Sequence, residues 1–311
     1  MKAIIFLLIT LFLLSSGYLY AKAELNELNE RVESLYFQGD YVGAVTAAKK
    51  ALQTAESDYG SDHFNVAVSL NNLAEVYRAQ GQYAMAKPLL RRALLINEKA
   101  FGLEHIDVAM NLNNLALLLH AQGQYEEAEI LHKRALGIKE KTFGPDHADV
   151  ATSLNNLAAL YFATEKYKQA EQLYKRAMLI NETVYGLDHL TVATSLSGLA
   201  VLYEERGKYT KAEPLYKRAL KIVEKELGPK HPTVAASLNN LATLYAMQKQ
   251  YSQARPLLKR ALEIWVKTLG SDHPDVATGL ENLAQLQRKT RQVKKADLLE
   301  KRAAEIRAME R

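Results

Sequence analysis

The chain has 311 residues, 48% of them hydrophobic and 24% charged, a balance that excludes a disordered, collagenous or multi-spanning membrane protein. Forty Lys and Arg against 35 Asp and Glu leave a formal charge of +5 spread along the chain, which speaks against a dedicated nucleic-acid binder. With no cysteine, disulfides, thiol catalysis and Cys-ligated zinc or iron–sulfur sites are all ruled out.

At the N-terminus, Met1-Lys2 precedes an apolar run over residues 3–14, then Ser15-Ser16-Gly17 and Ala21-Lys22-Ala23. A short basic start, an apolar segment of this length and an A-x-A site are the parts of a secretory signal peptide. Residues 1–23 are therefore expected to be an export signal cleaved after Ala23, delivering the chain to the periplasm or the medium. The alternative is an uncleaved membrane anchor, because Tyr18-Leu19-Tyr20 carry apolar character towards the ~20 residues that span a bilayer. A lipoprotein anchor would need a cysteine.

From residue 24 to the end the sequence repeats itself every 42 residues. Histidines 63, 105, 147, 189, 231 and 273 share that spacing, as do the segments Ser69-Leu70-Asn71-Asn72-Leu73-Ala74, Ser153-Leu154-Asn155-Asn156-Leu157-Ala158 and Ser237-Leu238-Asn239-Asn240-Leu241-Ala242. Units start near residues 23, 65, 107, 149, 191, 233 and 275. Within each, Leu70, Leu73, Ala74 and Tyr77 and their equivalents follow the i, i+3, i+4, i+7 rule of an amphipathic helix, helix A. Gly81 ends it. Tyr83, Ala86, Leu89, Leu90, Ala93 and Leu94 form the apolar face of helix B. Asn65, Asp107, Asp149, Thr191, Thr233 and Asp275, just before each helix A, are the expected N-caps. Helix pairs this short cannot bury both faces alone, so neighbouring pairs must share one core.

The spaced large and small positions Leu70, Leu73-Ala74, Tyr77, Ala86, Leu90 and Ala93 resemble the tetratricopeptide repeat. The 42-residue period, the Asn-Asn-Leu-Ala core and linkers such as Gly144-Pro145-Asp146-His147 are similar to the repeats of kinesin light chains. This resemblance implies an all-α, right-handed superhelical solenoid of about seven helix-turn-helix repeats, whose helices A line a concave groove that commonly binds peptides. Ser197-Gly198, Gln287 and Glu30-Arg31 depart from the pattern.

A helical wheel places Val68, Asn72, Glu75 and Ala79 opposite the face that meets helix B. Shifting by 42 gives the candidate groove: Asn72, Asn114, Asn156, Asn240 and Asn282 as a ladder of amides, with Glu75, Thr152, Thr194, Thr243, Gln285 and Lys289 around it. An amide donates and accepts at once, which suits the main chain of an extended peptide. Glu30, Glu33 and Glu75 make the first units acidic, and Arg288 and Lys289 make the last one basic. The alternative is that these asparagines serve only interhelical packing; Asn71, on the flank, is expected to bridge to the next helix A.

The remaining patterns have structural explanations. Successive linker histidines are roughly 10 Å apart by helix spacing, too far to share a metal, and read as linker hydrogen bonds. His120 and His132 lack a carboxylate pattern around them. The basic pairs Arg91-Arg92, Lys133-Arg134, Lys175-Arg176, Lys217-Arg218, Lys259-Arg260 and Lys301-Arg302 read as a solvated face, with Glu129, Glu171 and Glu213 four residues before three of the lysines. No phosphate-binding, dinucleotide-binding or nucleophile-elbow motif occurs. The reading is a noncatalytic, exported adaptor without metal or cofactor that captures a peptide or protein segment and has no nucleic-acid partner. A membrane association follows only if the N-terminal segment stays. The alternative is an assembly scaffold or self-associating spacer of the cell envelope.

Overall fold

The computed structural model describes residues 23–309 apart from residue 37. The export signal expected over residues 1–23 lies outside them, except that Ala23 opens the first helix, α1 (23–36). Among the described residues there are only helices and turns. No described helix is long and apolar enough to cross a membrane.

The chain divides into two compact units, residues 1–145 and 146–311. The first holds three helix pairs: α1 with α2 (Tyr41–Tyr59), α3 (Phe64–Ala79) with α4 (Tyr83–Phe101), and α5 (Ile106–Ala121) with α6 (Tyr125–Phe143). The second holds four: α7 (Ala148–Ala163) with α8 (Tyr167–Tyr185), α9 (Leu190–Glu205) with α10 (Tyr209–Leu227), α11 (Pro232–Met247) with α12 (Tyr251–Leu269), and α13 (Pro274–Lys289) with α14 (Val293–Met309). Inside each unit a helix B packs on its own helix A and on the helix A that follows.

The apolar periodicity explains this packing. Leu70 and Ala74 on α3 and Ala86 and Ala93 on α4 are fully enclosed. Small side chains at the crossings let backbones approach, and a leucine in place of Ala93 would cost ~1–3 kcal/mol through overpacking. Leu25 and Leu28 of α1 join Ala51, Val66, Leu70 and Ile96 in one cluster, so the divergent first repeat still contributes core. In the second unit Leu196, Ile222, Leu238, Ile264, Trp265 and Ile306 belong to a cluster drawn from three successive repeats.

The N-caps differ from those the sequence suggested. Each six-fold-repeated helix A is capped by its linker histidine, two residues before Asn65, Asp107, Asp149, Thr191, Thr233 and Asp275. The His63 Nδ1 accepts from the Asn65 backbone N–H at 3.2 Å, and His273 does the same for Asp275 at 3.1 Å. An accepting Nδ1 leaves the ring proton on Nε2, and the ring satisfies an N–H that the first helical turn would leave orphaned. Several of these rings also stack on the aromatic residue ending the preceding helix B: Tyr59 on His63 at 4.8 Å, Phe101 on His105 at 4.5 Å, Tyr185 on His189 at 4.4 Å. The linker hydrogen bond expected of these histidines is thus a helix cap.

The turn from helix A to helix B demands a left-handed residue. Gly81 takes φ +70° there, but Glu165, Lys249 and Arg291 hold φ near +60° at the same register. These three side chains carry the steric cost that glycine avoids, ~1 kcal/mol each.

The basic pairs of helix B are largely spoken for. Lys133, Lys175 and Lys217 meet Glu129, Glu171 and Glu213 at 2.6–2.7 Å, as the four-residue spacing suggested. The sequence did not reveal what the arginines do. Arg92, Arg218 and Arg260 reach back to Glu56, Glu182 and Glu224 of the preceding helix B at 2.6–2.7 Å and donate to linker carbonyls of Ser61, Leu187 and Pro229. They tie each linker to the repeat after it.

Candidate functional site

The face of each helix A turned from helix B is open. Val68, Met110, Thr152 and Thr194 are exposed, and Asn72, Asn114, Asn156, Asn240 and Asn282 are all half-buried. None of these five amides is enclosed. Thr152, Thr194 and Thr243 turn their hydroxyls back onto their own helices, bonding to the carbonyls of Ala148, Leu190 and Asn239. Their methyl groups and second lone pairs are what remains for a guest.

The amides have two duties. Asn72 donates to Asn29 of α1 at 3.0 Å, and Asn282 donates to Asn239 of α11 at 2.8 Å. In both cases an asparagine at the groove register grips one at the flank register of the previous repeat. Asn71 takes a hydrogen bond from Asn111 of the next helix A at 3.0 Å, and Asn155 donates to Ser195 at 3.0 Å. Packing therefore uses one N–H of Asn72 and of Asn282, leaving the second N–H and the oxygen of each. The side chains of Asn114 and Asn240 hydrogen-bond to no described residue.

Each unit has a cavity on this face. In the first, about 520 Å³ is lined by Asn29, Glu30, Glu33, Tyr36, Asn72 and Glu75 among others. Glu75 is already partnered there, by Arg78 at 2.7 Å and by the Tyr36 hydroxyl at 3.1 Å. Glu30 and Glu33 remain exposed. In the second unit about 290 Å³ is lined by Thr243, Met247, Lys249, Tyr251, Asn282, Gln285 and Lys289 among others. Four of the residues picked from the sequence, Thr243, Asn282, Gln285 and Lys289, are thus brought together. The first cavity is acidic, the second basic.

A family model for the tetratricopeptide repeat matches in overlapping stretches over residues 25–99, 68–141, 107–183, 149–225, 191–265 and 247–308. The chain belongs to the tetratricopeptide repeat family. Among solved structures, kinesin light chain nearly identical TPR-like repeats from Podosopora anserina are 29% identical, over 65% of this chain and 95% of that one, with a TM-score of 0.54. BtubC from P. vanneervenii is 22% identical over 78% and 92% of the two chains, TM-score 0.57. A Rap protein solved in complex with competence and sporulation factor is 20% identical over 93% and 76%, TM-score 0.68. The last two show the fold alone. No curated protein sequence matches the chain.

Against this tetratricopeptide repeat framework, one expected groove cation is elsewhere. Arg288 is clasped by Glu300 at 2.5 and 2.7 Å and by Asp297 at 2.8 Å, which turns its charge to α14 and leaves Lys289 in the cavity. Lys249, which the sequence reading missed, lines the cavity beside Lys289. The signal for it was the glycine missing from the turn register, where Gly81 and Gly207 stand in other repeats. Asn29 was missed because the first repeat diverges around it. His132, on the repeat, is enclosed in the core: its Nδ1 meets Asn113 Oδ1 at 3.1 Å, and burial pushes its pKa down to about 4. Among the described residues no group of His, Asp or Glu is arranged to hold a metal ion.

Proposed function

We propose that this chain is a noncatalytic adaptor that captures an extended peptide, or a flexible segment of a partner protein, along the open faces of its helices A. The carrying observation is the row of half-buried, unenclosed amides at one register of successive repeats, with Asn114 and Asn240 wholly uncommitted. Amides read main chain, so they supply affinity with little sequence preference. Preference comes from the cavities: Glu30 and Glu33 suit a basic side chain, and Lys249 and Lys289 an acidic one. Because Asn72 and Asn282 are braced by interhelical hydrogen bonds and the helices are stacked before a guest arrives, the guest carries most of the ordering cost. A Rap protein of similar fold has been solved with the competence and sporulation factor bound, which supports the reading by analogy of fold.

The test is the double variant Asn114→Ala/Asn240→Ala in a crosslinking pull-down from the native compartment. Loss of the captured partner with little change in melting temperature is the expected result. Unchanged capture with a lowered melting temperature would mean that the ladder only packs helices, and would favour a self-associating scaffold, whose size in light scattering these substitutions would leave unaltered. We propose in addition that residues 1–23 direct export. The mature protein would then begin at Glu24, which its intact mass decides.

A further inference from the structure

One repeat breaks the ladder. At the register of Asn114, Asn156, Asn240 and Asn282 the fifth repeat carries Gly198, and the reason lies on the helix before it. A Cβ at Gly198 would come within 2.6 Å of Tyr174 Cζ, so the hydroxyl-bearing end of the Tyr174 ring, on α8, fills the place where a side chain on α9 would start. No asparagine fits over that ring. Tyr174 is only 7% exposed, and its hydroxyl bonds to no described residue. Burial raises its pKa to about 12, so at neutral pH the group is a proton donor.

The neighbouring repeats show that this is not a general property of the register. Tyr216, one repeat on, places its hydroxyl 2.6 Å from Glu204 and is satisfied within the fold. Leu258, at the same register again, has no polar end and stands beside Asn282, which supplies the amide. The ring of Tyr174 is buried, but its hydroxyl oxygen is not among the enclosed polar atoms, so it reaches the surface where a guest can meet it. Thr194 and Val201, one turn to either side of Gly198, are on the open face.

We propose that the Tyr174 hydroxyl, uncovered by Gly198, is a peptide-contacting donor that takes the place of the missing amide and binds a main-chain carbonyl of the guest. This rests on the peptide-capture reading above and names a specificity-determining residue within it. The contact is a donor only towards that carbonyl, where an asparagine would engage both an N–H and a C=O.

The experiment uses the full chain and a synthetic array of random decapeptides, with dissociation constants measured by fluorescence anisotropy for the best binders. Tyr174→Phe keeps the ring and removes only the oxygen. Its expected effect is a roughly fivefold to tenfold weaker binding, similar across sequences, at an unchanged melting temperature. The double variant Tyr174→Leu/Gly198→Asn copies the Leu258–Asn282 arrangement and should restore affinity. Equal affinity of wild type and Tyr174→Phe for peptides that wild type binds would overturn this inference and leave peptide capture standing. Failure of wild type to bind any decapeptide, with Asn114→Ala/Asn240→Ala equally inert, would overturn both.

Discussion

His132 on α6 and Tyr174 on α8 occupy the same register of successive helices B, and their polar ends meet opposite fates. The His132 ring is 1% exposed, and its Nε2 is enclosed without a hydrogen-bond partner. With Asn113 Oδ1 accepting from Nδ1–H, the enclosed nitrogen is a bare acceptor, and protonating it would bury a charge. Tyr174 is buried to nearly the same degree, but its phenol end lies against a glycine on the open side of α9. A repeat fixes where along the helix a side chain sits. What a polar group at its tip can do depends on the residue facing it, one helix away.

The largest effect that could break this comparison is pH-dependent. The His132 pKa is about 4 in the folded chain against an ordinary 6.5, so the unfolded chain binds more protons across that window. Stability should therefore be full above pH 6.5 and fall as the pH drops towards 4, by up to about 3 kcal/mol. In urea titrations at stepped pH, His132→Leu, which copies Leu90 and Leu258, should remove this component of the slope. An undiminished slope in that variant would show that the enclosed ring is not its source.

Next in size is Gly198→Asn. Placing the repeat's usual residue against the Tyr174 ring should destabilise the second unit by ~1–3 kcal/mol, and Tyr174→Leu in the same chain should recover most of the loss. A neutral Gly198→Asn would mean that the ring has another place to go. The caps give a smaller contrast. His147→Ala should cost ~1 kcal/mol, whereas Asp149→Ala, at the position the sequence suggested, should cost a few tenths at most. Reversal of that order in thermal melts would restore the original cap assignment. Smallest of all, Glu165→Gly should stabilise by about 0.5 kcal/mol, because its left-handed backbone suits glycine.

Two departures from the repeat that look like noise in the sequence turn out to be compensated pairs. Gly198 answers Tyr174, and Gly279 answers Trp265, whose Cζ3 would lie 3.1 Å from an added Cβ. Neither pair is legible along the chain, since its members belong to consecutive repeats and a single sequence does not show them varying together. Arg288 misled for a different reason, its partners lying on the other helix of its own repeat. Its position on the last helix A marks it as a groove cation, and only the fold brings Asp297 and Glu300 against it.

The linear sequence by itself determined the helix pairs, their number, the enclosed apolar positions and the open face of helix A, because a 42-residue period read through a 100° helical turn places every side chain relative to its own axis. The tertiary structure alone decided which polar groups are spent and which are available: the histidine caps, the arginines tied to linkers, Asn72 and Asn282 half-committed, Lys249 in a cavity, and the Tyr174 hydroxyl unmatched. The arginine and asparagine bonds span distances of about 3 Å between residues 31 to 43 positions apart, and no periodicity along one helix encodes those distances.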